Sequence, residues 1–129
     1  MKVLVITSGL MSVPALYALD KGLYFHGSLL LCVSSASMNF WRKPIVGTLR
    51  HNLDLTLARL SFCVFFIEGL KINTILLKMG ALCVVGSYIL SRTLEKMKSR
   101  HHHTCHCIFH LIAIYCQFVT ISNIKSIVS

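Results

Sequence analysis

Acidic residues are scarce. The 129 residues include only four Asp and Glu against 13 Lys and Arg, for a formal charge of +9. Charged residues of both signs make up 13% of the chain, too few to cover a soluble fold of this size or to sustain charge-driven disorder. Two prolines and seven glycines exclude a collagen-like chain and a Pro-rich linker. The six cysteines (Cys32, Cys63, Cys83, Cys105, Cys107 and Cys116) lack the spacing of a disulfide framework, and most lie inside apolar stretches, so they read as reduced packing residues. P-loop, Gly-x-Ser-x-Gly and Rossmann fingerprints are absent, which removes the soluble catalytic motifs.

Apolar residues are abundant instead: 55% of the chain belongs to the AVILMFWYC set, with a mean hydropathy of +0.71. They gather in five segments, Val3 to Leu19, Gly22 to Trp41, Leu53 to Leu70, Ile72 to Ser91 and Cys107 to about Asn123. Each has about the 17 to 25 residues that a helix needs to cross about 30 Å of hydrocarbon. The expected fold is all-α: one polytopic helical bundle of about five transmembrane helices, with the lipid bilayer as its surroundings. The first segment reads as a retained membrane helix, because Leu16 and Tyr17 precede Ala18 where a signal cleavage site wants Ala-x-Ala. Pro14 predicts a kink in it, since proline lacks the amide donor and crowds the preceding turn.

A basic patch would suggest nucleic acid, but these residues lie between the apolar runs and mark span ends, which speaks against a nucleic-acid partner. With five spans, Lys2, Arg42, Lys43, Arg50, Arg92, Lys96, Lys98 and Arg100 fall on one side, and only Lys21, Lys71 and Lys125 on the other. The positive-inside rule then makes the N-terminus cytoplasmic. Arg59 and Lys78 lie within spans, each about two turns from an end, where a long stem reaches headgroups by snorkelling. Glu68 is an expected partner for Lys78 across the Lys71 hairpin, and His26 reads as an interfacial histidine on the outer side.

The most distinctive stretch is His101-His102-His103-Thr104-Cys105-His106-Cys107-Ile108-Phe109-His110. Three readings stay open. His101 to Cys107 suits a surface chelator of zinc or copper in an aqueous loop. His106 and His110, four apart on one helical face, suit two ligands of one ion. The third reading is a polar loop whose histidines meet water or headgroups. Asp54, at the cytoplasmic entrance of the third span, shares the membrane face of His106 and His110 and completes a set of three donors. Taken alone, it reads as a helix N-terminal charge or an i, i+4 partner of Arg50.

These residues resemble the CREST superfamily of alkaline ceramidases, adiponectin receptors and haemolysin III type proteins. That family has Ser-x-x-x-His on one helix, an Asp some fifteen residues later, and His-x-x-x-His at the start of its last helix. Here Ser35-Ala36-Ser37-Met38-Asn39 is followed fifteen residues on by Asp54, and then by His106-Cys107-Ile108-Phe109-His110, with Asn39 standing where the third histidine belongs. The resemblance implies a zinc-dependent amide or ester hydrolase acting on a lipid substrate. In it Asp54 and Ser35 would be catalytic, and His106, His110 and Asp54 would be metal ligands. A degenerate relative without activity fits the same residues. The rival class is a noncatalytic membrane scaffold or assembly subunit, with small residues Ser34, Ala36, Gly80, Cys83, Gly86 and Ser87 at helix contacts.

Overall fold

The computed structural model describes residues 2–72 and 75–124. Among them the secondary structure is entirely helical: α1 (Lys2–Leu10), α2 (Ser12–Asp20), α3 (Tyr24–Arg42), α4 (Leu49–Ile72), α5 (Ile75–Lys96) and α6 (His102–Asn123). The all-α expectation holds, and each apolar segment of the sequence has become a helical rod. α1 and α2 form one rod, Lys2–Asp20, broken at Met11. The break follows from Pro14, which has no amide to give the Leu10 carbonyl. In the loosened turn the Met11 amide reaches back only three residues, to the Ser8 carbonyl at 3.2 Å, and the Ser12 hydroxyl donates to the Gly9 carbonyl at 2.7 Å.

The hairpin from α2 to α3 is set by Gly22, whose φ of 79° is the left-handed conformation that closes a Schellman turn. Its signature bonds are present: the Leu23 amide to the Ala18 carbonyl at 2.8 Å and the Gly22 amide to the Leu19 carbonyl at 3.0 Å. From the same hairpin the Lys21 ammonium donates to the Ile121 and Ile124 carbonyls at the C-terminal end of α6, at 2.8 and 3.2 Å, where a cation complements the helix dipole. α3 is the central helix, packed on α1, α2 and α4, while α5 lies chiefly against α6. Gly80 permits that last contact, since a Cβ there would stand 2.5 Å from the Cys116 sulfur. Of the other small residues noted in the sequence, Ser34 is buried, Ser87 is half-buried and Cys83 is exposed.

Polarity is distributed inside out. Thr7, Ser8, Ser34, Ser37, Ser61, Ser91, His110, Gln117 and Thr120 are buried, while large apolar side chains such as Leu82, 68% exposed, cover the outside. The rod Lys2–Asp20, α5 and α6 are long and apolar enough to cross a membrane. α3 and α4, with 19 and 24 residues, are of similar length. Between the polar groups lie apolar clusters: Ala15, Ala18, Leu23, Leu30, Phe65 and Ile121 towards the Lys21 end, and Leu4, Phe40 and Trp41 towards the other.

Candidate polar centre at the His106 end of the bundle

α6 begins at His102, four residues before His106, so the histidine stretch that reads as an aqueous loop is largely the first turns of a helix. α5 stops because Lys98 adopts a left-handed φ of 54°, and the Ser99 amide bonds back to the Leu94 carbonyl at 3.0 Å. The His102 ring then donates from Nδ1 to the Ser99 carbonyl at 2.8 Å, and the His102 and His103 rings lie 3.8 Å apart between centroids. Helical spacing turns His106 and His110 to one face, their rings edge to face at 4.7 Å.

His110 is 2% exposed, with Nδ1 2.9 Å from the Thr7 hydroxyl of α1. Thr7 in turn donates to the Leu4 carbonyl at 3.2 Å, so its oxygen accepts from His110, and the imidazole carries its proton on Nδ1. His106 has its Nδ1 3.3 Å from the Ser91 hydroxyl of α5. The two rings therefore tie α6 to different neighbours, α1 and α5. Asp54 sits in the second turn of α4, which starts at Leu49, beyond the first turn where a helix N-terminal charge would lie. The Ser37 hydroxyl of α3 lies beside its carboxyl. Ser37 is 2.9 Å from the Ser8 hydroxyl, Ser8 is 2.7 Å from the Leu4 carbonyl, and Ser34 donates to the Ser8 carbonyl at 2.8 Å. Asp54 and His106 line one cavity of about 40 Å³ with His51, Trp41, Ser91 and Glu95, room for about one water molecule.

Ser35 and Asn39 lie elsewhere. Both are exposed and line a separate groove of about 280 Å³ with Val5, Met38 and Arg42, and the Arg42 guanidinium donates to Asn39 Oδ1 at 3.4 Å. The face of α3 that meets the histidines is two residues out of register with the sequence motif: Ser37 and, one turn on, Trp41. The Trp41 ring packs against His106 at 4.9 Å, is 8% exposed, and has its indole Nε1 buried with no hydrogen-bond partner. Ser37, Trp41, Thr7, Ser8 and Ser91 have no site role in the sequence pattern. Their one signal there is polar residues recurring within apolar runs, Thr7-Ser8 in α1 and Ser34 and Ser37 three apart in α3.

The resemblance implies a zinc at these donors. A catalytic zinc takes three protein ligands and an open position. Among the described residues, no three His, Cys, Asp or Glu side chains are gathered closely enough to hold one ion, neither at His106 and His110 nor in the His101 to Cys107 stretch. Glu68 does not meet Lys78: it pairs with Lys71 at 3.4 Å and faces His26 at 3.9 Å. His26 packs edge-on against Phe65, between α3 and α4. Comparison with family models, with curated proteins and with solved structures finds no match to this chain.

Proposed function

We propose that the chain is a small five-span membrane protein, with a cytoplasmic N-terminus, that acts as a noncatalytic scaffold or assembly subunit. In this reading the residues resembling a CREST centre serve as an interhelical clasp. One observation carries it: the face of α3 that meets His106 presents Trp41, an indole with no metal-binding lone pair, rather than a third imidazole. The remaining polar groups support it, because His110 is engaged with Thr7, His106 with Ser91 and Asp54 with Ser37. Such contacts join α1, α3, α4, α5 and α6 within apolar surroundings, where interhelical hydrogen bonds are each worth about 0.6 to 2 kcal/mol.

Fatty-acid release from lipid amide and ester substrates, measured on purified protein in vesicles with zinc supplied, is expected to stay at the buffer rate. Turnover that disappears in Asp54→Asn would restore the hydrolase reading. Orientation rests on eight inner against three outer basic residues. In a cysteine-free background, an impermeant thiol reagent applied to intact cells should label Lys71→Cys and spare Val46→Cys; the opposite pattern inverts the topology.

A further inference from the structure

Arg59 stands about 9 Å inside the inner end of the third span, counting six residues from Leu53. α4 buries only Ser61 and Phe65, so its outer face is bare. Asn52, Thr56, Arg59, Cys63, Phe66 and Leu70 recur at helical spacing and are all exposed, which puts Arg59 in the middle of the outward stripe. A guanidinium at this depth costs about 2.5 to 3.5 kcal/mol if left unpaired. Among the described residues no carboxylate lies within ion-pair distance of it. Glu68 pairs with Lys71, Glu95 pairs with Arg92, Asp54 meets Ser37 inside the bundle, and Asp20 ends the first rod. Those four are all the acids of the chain. A second copy inserted in the same orientation and docked on the same face would bring Arg59 against Arg59.

We propose that this face of α4 docks a membrane helix of a different protein that carries an Asp or Glu at the depth of Arg59. Thr56 and Cys63, three residues before and four after, are short and let a partner helix approach closely. The planar guanidinium then meets the carboxylate through two parallel hydrogen bonds. The proposal rests on the five-span reading, which places α4 in the bilayer, and it gives the assembly role a partner chemistry.

The test uses the full chain with Cys63 as its only cysteine, in phosphatidylcholine vesicles, beside a poly-leucine helix peptide with one Asp at the depth of Arg59, about six residues from its inner end, and a cysteine one turn away. Oxidative cross-linking of Cys63 to the Asp peptide should exceed that to all-Leu or Asn peptides by about fivefold. It should fall to the all-Leu level in Arg59→Leu and return when Arg59→Asp meets a Lys peptide. Cys63 should resist an impermeant maleimide throughout. Free labelling of Cys63 overturns the third span, and this proposal with it. A protected Cys63 without preference for the Asp peptide overturns the proposal alone. In that case Cys63 to Cys63 dimers identify a second copy as the occupant, and a deeper Cys63 in Arg59→Leu assigns the guanidinium to lipid phosphates.

Discussion

Trp41→His converts a two-imidazole arrangement into a three-imidazole one, and bound zinc should rise from traces to about one ion per chain. The substitution places a ring nitrogen next to His106, on which Trp41 already packs at 4.9 Å, and His110 stands one turn further along the same face of α6. Two further features favour binding. Asp54 lines the cavity that Trp41 and His106 share, and the Ser91 and Thr7 hydroxyls already hold Nδ1 of the two native rings, as outer partners of metal-bound histidines do. Trp41→Phe separates the loss of the indole from the gain of a ligand and should stay metal-poor. Adding His106→Ala to Trp41→His should remove about tenfold or more of the gained affinity. If Trp41→His folds yet retains no more zinc than Trp41→Phe, position 41 is not a ligand position, and the resemblance to a CREST centre has no counterpart in the packing.

The second large effect is on stability. His110→Ala should cost about 2 to 4 kcal/mol in reversible unfolding from mixed micelles, because it empties a buried site and removes the link from α6 to α1. Thr7→Val should cost about 1 kcal/mol, and the double variant should fall short of the sum by about 0.5 to 1.5 kcal/mol, the coupling of a direct hydrogen bond. Ser35→Ala and His101→Ala, at exposed positions, should stay within about 0.5 kcal/mol of the parent. If His110→Ala is as mild as Ser35→Ala, the clasp is not what holds the bundle at that end.

The rods are legible in the sequence because membrane-length apolar runs, the proline at position 14 and the glycine at position 22 are local signals with local consequences. The histidine stretch is less so. Nothing in Lys96 to Arg100 announces that Lys98 will take a left-handed conformation, close α5 and let α6 start at His102. Span counting puts Asp54, His106 and His110 at one end of the bundle, but it does not give the partner of each. In Ser34-Ser35-Ala36-Ser37 three hydroxyls follow one another, and only packing against Ser8 of α1 decides that Ser34 and Ser37 turn inward while Ser35 faces out. The same limit explains Glu68. Lys78 is the first base beyond the hairpin once Lys71 is assigned to the turn, yet the fold brings His26 of α3 alongside instead. Contacts between helices far apart in sequence leave no periodic trace in either one.

Elemental analysis of the wild-type protein, purified in detergent without chelator and with zinc in the growth medium, tests the zinc-free clasp most directly. The arrangement of Trp41, His106 and His110 predicts well under about 0.1 zinc per chain, unchanged in Asp54→Ala and in His110→Ala. About one zinc per chain, lost in either variant, would contradict it and make the polar centre a metal site.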